Sequence, residues 1–408
     1  VNKYAFPLVA LLALSGQATA QPSPPSPPAI VAEPIESSAE GLAADAAEYS
    51  RAFAVAPIEA LRRLEAQEAS VALVDRLAEQ YRDRLAGVLI EHQPIYRIVI
   101  VVTGAPTTET QIATAPFGVP IILRTGALAT RAETLAAIEL HQADIRAELP
   151  SPPGMGVDPR TGALLVLVKP GEHLAGDAAD ADAMVARLRT IAGVPVKIGS
   201  WGDFDTNLSV QGGGRVVGAD AEHPGLFVCT SGFVVTDGNQ TALSTAAHCP
   251  DTLSFVDRDG TRTPLTMIDA WGARYQDVQL HSADLPLRPL FHAEDLVRAR
   301  MLVTWRNRGS TRAGDFVCHR GLRSGYSCAL VQVVDYAPPG DLCAGPCPAT
   351  WVAVGGPQCR SGDSGGPVFL GSVAFGLVKG DSSEKGTCKL YYYMSTDYLP
   401  PGWTLLHG

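Results

Sequence analysis

The first 228 residues contain no cysteine, although the chain has eight, so whatever folds there does so without disulfide staples. Basic side chains are in deficit. There are 32 Lys and Arg against 42 Asp and Glu, a formal net charge of −10, and no concentrated basic surface of the kind that phosphate backbones require. Nucleic acid is therefore not expected as a partner. No apolar run approaches the roughly 20 residues needed to cross a bilayer as a helix, and no internal repeat stands out. Hydrophobic residues at 46% and charged residues at 18% describe a globular, water-soluble chain rather than a disordered one. At 408 residues it is too long for one ordinary core, and two to three domains are expected.

What is present begins with an export pattern. Lys3 precedes the apolar stretch Ala5 to Leu14, and Ala18-Thr19-Ala20 follows with small residues at the cleavage positions. Residues 1–20 are expected to be a signal peptide, cut near Ala20, which places the protein outside the cell or in the periplasm. Residues 21–44, with Pro-Ser-Pro-Pro-Ser-Pro-Pro at 22–28, are expected to be a disordered linker. Charge is uneven: residues 21–207 carry roughly 15 basic and 24 acidic groups, and 208–408 roughly 16 and 18.

Residues 45–207 read as a small α/β unit. Apolar residues at helical spacing run from Ala56 to Leu85, and again from Glu133 to Leu149 and Ala181 to Ala192. Tyr96–Val102, Val119–Leu123, Ala163–Val168 and Val194–Ile198 are β-rich, which predicts one sheet with helices on one face. From 208 the texture changes to short β-rich runs separated by Gly, Pro, Asp and Asn, the pattern of an all-β barrel or sandwich. All eight cysteines lie here, and an even number in an exported chain reads as disulfides, though spacing does not assign the pairs.

Three residues carry the candidate chemistry. Gly362-Asp363-Ser364-Gly365-Gly366-Pro367 surrounds a serine with glycines. Such a backbone can turn tightly and aim the N–H groups of Gly362 and Ser364 at a developing oxyanion. Ser244-Thr245-Ala246-Ala247-His248-Cys249 supplies a histidine, the side chain suited to take a proton from a hydroxyl near neutrality. The carboxylate that would orient this ring is expected to be Asp277, in Tyr275-Gln276-Asp277-Val278-Gln279-Leu280, with Asp269 and Asp284 as rivals.

In this order and with these motifs the chain resembles the chymotrypsin-like serine peptidases, and within them the bacterial branch of α-lytic protease and the streptogrisins. Cys318-His319-Arg320-Gly321 followed by Ser324-Gly325-Tyr326-Ser327-Cys328, and Gly376-Leu377-Val378, fit that branch. The likeness covers about residues 215–395, and more weakly 85–200, where Val157-Asp158-Pro159-Arg160-Thr161-Gly162 is similar to the branch's pro-region. The resemblance implies an all-β fold of two six-stranded antiparallel barrels (residues 208–408) behind an α+β pro-region (45–207). It also implies disulfides Cys229–Cys249, Cys318–Cys328 and Cys359–Cys388, leaving Cys343 and Cys347 to close a local loop.

A serine endopeptidase follows, made as a precursor, acting on polypeptide substrates and needing no cofactor. Its own pro-region would assist folding and inhibit until cleavage within about 205–215. A monomer is expected. Metal is not, because no His or Cys cluster accompanies Cys343 and Cys347. Lys379, Gly380 and Asp381 would line the substrate as a strand partner, with Gln358 and Arg360 near the pocket. Lys379 stands where the branch commonly has a serine that bonds the triad carboxylate, and it reads either as a solvated strand-edge lysine or, with Arg360, as a site for acidic substrate side chains. Either His319 or Arg320 would pair Asp363, with Arg320 favoured because its charge does not depend on pH. A catalytically silent binding protein, or an esterase of the same fold, are the rival readings.

Overall fold

The computed structural model describes residues 34–169, 178–200, 203–205, 213–219, 227–257, 260–284, 287–356, 358–384 and 387–408. The expected signal peptide, the Pro-rich stretch and most of the expected cleavage segment lie outside the described residues.

The front region starts earlier than its composition suggests. Helix α1 spans Ser38–Phe53, so it begins within the stretch 21–44 expected to be linker. A capping box starts it: the Ser37 side chain accepts from the Glu40 N–H, and the Glu40 carboxylate accepts from the Ser37 N–H at 2.8 Å. The single helical pattern from Ala56 to Leu85 divides into α2 (Pro57–Ala69) and α3 (Val71–Gln80). At the junction the Ser70 hydroxyl donates to the Gln67 carbonyl (3.0 Å) and accepts from Arg312 (2.9 Å), a competition with helical bonding that periodicity does not register. The last residues of that pattern open the strand Leu85–Glu91.

Two sheets, rather than one, make up this region. The first runs in the order Leu85–Glu91, Arg97–Thr103, Val119–Ala127, Thr110–Ala115. Along Arg97–Thr103 the side chains alternate between two cores. Ile98, Ile100 and Val102 pack with Ala66 and Val74 of α2 and α3, while Val99 and Val101 pack with Leu89 and Ala313. Burial on both faces explains the uninterrupted apolar run.

The second sheet consists of Gly154–Val157, Leu164–Val168 and Val196–Ser200, with α4 (Arg131–Ala147) and α5 (Ala178–Ala192). It does not stand alone. Met155 and Gly156 pair with Ala337 and Tyr336, at the end of a 13-residue strand, Gly325–Ala337, that runs on past its own barrel. An overhanging strand offers unpaired N–H and C=O groups, and the front region's sheet satisfies them.

The back half closes two rings. In the first, the segment 227–236, interrupted at 231–233, pairs with Arg215–Gly218 at one end and Thr241–Thr245 at the other. Leu253–Val256, Arg262–Trp271 and Val278–Ser282 complete the circuit, every pair antiparallel. The second ring is Phe316–Gly321, Pro367–Leu370, Val373–Glu384, Thr387–Ser395, Trp351–Gly355 and Gly325–Ala337, which returns to the first strand. Closure removes the edges that open sheets must protect. The largest core lies in and under the second ring, and it takes in Ala46 and Tyr49 of α1 and Leu64 of α2.

Four disulfides join Cys229–Cys249, Cys318–Cys328, Cys343–Cys347 and Cys359–Cys388. These are the pairs the resemblance implied. Among the described residues no helix is long and apolar enough to cross a membrane.

Candidate active site

Strand register brings the histidine and the carboxylate together. Thr245 lies opposite Gln279 in the first barrel. Three residues past the one strand comes His248, and directly before the other comes Asp277, so both project from the same end. His248 Nδ1 lies 2.8 Å from Asp277 Oδ2, and the His248 backbone N–H donates to Oδ1 at 3.2 Å. Among the described residues the other ring nitrogen, Nε2, has no hydrogen-bond partner. The His248 side chain is 27% exposed and that of Asp277 1%, so the ring is reachable and the carboxylate is shielded. Asp269 lies in the strand Arg262–Trp271, where its carboxylate accepts the N–H of Ala270 next to it (2.8 Å), which excludes it from this role.

Ser364 sits on the loop entering Pro367–Leu370 of the second barrel, and hydrogen bonds tie that loop to the first. Thr230 donates its N–H to the Ser364 carbonyl (3.0 Å) and its hydroxyl to that of Gly362 (3.2 Å). Gly365 has φ +83, and a Cβ there would lie 2.3 Å from the Thr230 carbonyl and 2.4 Å from the Thr245 hydroxyl. Only a residue without a side chain lets the serine loop nest against the strand that leads to His248. Gly365→Ala is expected to cost about 1–3 kcal/mol in backbone strain before any clash is relieved. Its denaturation midpoint should fall, and any reaction at Ser364 should slow to roughly a tenth or less. An unchanged midpoint and rate would show that this close approach does not matter.

Asp363, beside the serine, turns its carboxylate inward. It is met by backbone N–H groups: Arg360 at 2.8 Å on one oxygen, Arg323 and Ser324 at 3.1 and 3.2 Å on the other. His319 Nε2 stands 3.9 Å away and bonds Ser324 Oγ at 3.0 Å. Burial pushes the Asp363 carboxyl up, but His319 and these donors outweigh it and hold the group below the usual carboxylate range. Arg320, the favoured partner from sequence, instead donates to the carbonyls of Ala293 and Glu294. A Cβ at Gly321 would lie 2.1 Å from the Asp363 carboxylate, so a glycine there leaves the carboxylate the room it occupies.

Lys379 departs from both readings of it. It is 6% exposed, and its ammonium lies 3.3 Å from Asp277 Oδ2 and 5.0 Å from the centre of the Trp351 ring. Arg360 and Gln358 are exposed. Lys379 therefore does not join Arg360 in a basic pocket, because its charge is committed to Asp277. Burial would raise the Asp277 carboxyl, but the charges of His248 and Lys379 and their hydrogen bonds hold it far below the ordinary range. The Lys379 carbonyl accepts the Ser364 hydroxyl at 3.2 Å. The signal for this in the sequence is a lysine that directly follows the apolar run Val373–Val378.

Gly380 and Asp381 continue the same strand, and the segment Asp203–Asp205 pairs antiparallel with Asp381–Ser383. The strand that was expected to bind substrate is thus paired with residues of the chain itself.

No known protein family's profile matches the chain, and no curated protein sequence matches it. Among solved structures it is similar to bacterial chymotrypsin-like serine proteases. Thermobifida fusca protease A is 20% identical with a TM-score of 0.37, over 49% of this chain and all of that one. A glutamic-acid-specific serine protease is 20% identical, TM-score 0.38, over 46% and 94%. A Nocardiopsis protease is 19% identical, TM-score 0.35, over 46% and 91%. These likenesses are distant and span about half of this chain. The fold is a double β-barrel of two closed antiparallel rings, preceded in the chain by an α+β region.

Proposed function

We propose that the chain is a secreted serine endopeptidase made as a precursor. The observation that carries this reading is the 2.8 Å contact between His248 Nδ1 and a buried Asp277, with the loop that bears Ser364 seated against Thr230 and Thr245, the latter three residues before that histidine. In the proposed reaction the Ser364 hydroxyl turns from the Lys379 carbonyl toward His248 Nε2 and gives up its proton there as Oγ bonds to the peptide carbonyl carbon. Asp277 holds the ring and stabilises its charge. The N–H groups of Gly362 and Ser364 bind the oxyanion, and His248 then protonates the departing amine. Water repeats the sequence on the acyl-enzyme, which returns Ser364 and releases an acid. Four disulfides suit an oxidising compartment outside the cytosol.

The precursor reading is supported by the strand pairing of Asp203–Asp205 on Asp381–Ser383, at the place a substrate backbone would use. The front region would hold this edge covered until the chain is cut between it and Arg215.

A fluorophosphonate probe tests the proposal. The secreted protein should gain one adduct, on the peptide that contains Ser364, and lose it when His248 is changed to alanine. A processed protein that takes no label at any pH would remove the enzymatic reading.

A further inference from the structure

Burying a lysine is costly unless an anion meets it. The Lys379 ammonium meets Asp277, and on Oδ2, the same oxygen that His248 Nδ1 contacts. One carboxylate thus serves two cationic partners. The backbone of the same residue reaches the other end of the relay, where its carbonyl holds the Ser364 hydroxyl at 3.2 Å. The face of Trp351 backs the ammonium and keeps it from swinging out toward water. Resting on the peptidase reading above, we infer that Lys379 is a positioning residue of the relay. It fixes both Asp277 and the resting Ser364 hydroxyl, and it weakens the carboxylate's hold on a charged His248 ring, so the base stays neutral in more acidic water than an uncharged residue at 379 would allow.

The sign follows from counting charges around the ring. With Lys379 present, the ammonium offsets part of the Asp277 charge, and an imidazolium gains less by forming. Without Lys379 the carboxylate is unshared, and the charged ring is favoured. Two other groups face the pair. Tyr392, from the strand Thr387–Ser395, has its hydroxyl pushed far up by burial beside Asp277 and Asp381, and so stays neutral. Asp381, two residues along the same strand past an irregularity at Lys379, is a buried anion whose charge acts on Tyr392. The shorter path from Lys379 to Asp277 decides the direction.

The rate of fluorophosphonate labelling is the readout, followed from roughly pH 4 to 9 for the unaltered protein and for Lys379→Met, Lys379→Gln and Lys379→Arg. Methionine and glutamine should move the acid limb of the profile upward by about one pH unit, a tenfold slower reaction on the acid side, while arginine keeps it in place. Gln keeps a donor on a side chain one bond shorter, so it reports on charge if the Met variant does not fold. Equal slowing at every pH in Met and Gln, with an unmoved limb, would overturn the inference and reduce Lys379 to packing. No labelling of the unaltered protein would overturn the peptidase reading itself, which is a separate outcome.

Discussion

Ser364→Ala is expected to lower kcat for peptide hydrolysis by about 10⁶-fold, and His248→Ala by a similar factor. The two losses should not add. A serine without its base and a base without its serine leave the same thing behind, a cleft that binds substrate and polarises its carbonyl, so the double variant should be no slower than either single one. Asp277→Asn should cost less, about 10⁴-fold, because the ring survives in the wrong tautomer. A second consequence concerns processing. If the precursor cuts itself, Ser364→Ala should accumulate with residues 34–205 still attached, while its denaturation midpoint stays close to that of the uncut parent. Retention of even a tenth of the activity in Ser364→Ala would place the nucleophile elsewhere.

Arg300→Met is expected to destabilise the uncut chain by about 3–5 kcal/mol. Arg300 is fully buried and donates to Glu36 (3.1 Å), Asp45 (3.0 Å), the Gly371 carbonyl (3.3 Å) and Glu294. Asp45, on α1, is also fully buried and accepts from Tyr326 at 2.6 Å and from the Gly371 N–H. One cation therefore joins the two-residue strand Ile35–Glu36 and α1 to a hairpin turn of the second barrel. Methionine fills most of the space but strands the Asp45 carboxylate in the interior without its cation, while Glu36 keeps Arg298 at 3.0 Å.

The pH dependence of that loss has a definite sign. Burial already raises the Asp45 carboxyl above its ordinary value, against the opposing charge of Arg300, so removing the arginine raises it further. A group whose folded pKa is raised takes up its proton more readily when folded, so lowering the pH favours the folded form. The defect of Arg300→Met should therefore shrink as the solution is acidified, and Arg300→Met with Asp45→Asn should recover part of it at neutral pH. Urea denaturation at several pH values measures both. A single-variant midpoint equal to the parent's would mean that the cluster contributes nothing net.

Much of the candidate site was legible without coordinates. Ser364 and His248 stand in short motifs whose glycines and small residues are there for local reasons, a tight turn and a ring at a strand end, and local reasons are written in consecutive residues. Asp277 was chosen by its place at the head of a β-like alternation, and strand register then put it beside His248. The pairing of Asp363 was not legible. Its partners are the amides of Arg323, Ser324 and Arg360, and a backbone amide looks the same whatever residue carries it. Lys379 was misread because a lysine in a strand is ordinarily solvated, and its burial depends on an anion about a hundred positions away.

The front region shows the same division. Most of its helices and strands followed their hydrophobic periods; the exceptions include the break at Ser70 between α2 and α3, and α1, whose alanine-rich start next to a Pro-rich stretch looked like linker. That its second sheet continues into the second barrel could not be read from any period, since hydrogen bonding between Met155–Gly156 and Tyr336–Ala337 leaves no pattern in either segment.

By itself, then, the amino-acid sequence determined the all-β texture of the back half, the acidic α+β region before it and the residue types of a Ser-His-Asp site, because each depends on neighbours in the chain; the two barrels were only what the family resemblance implied. Tertiary structure alone decided which charges share a carboxylate, where α1 is anchored and what covers the strand at Asp381–Ser383. Those outcomes turn on the Coulomb attraction and desolvation of groups that only folding brings within 3–4 Å of one another.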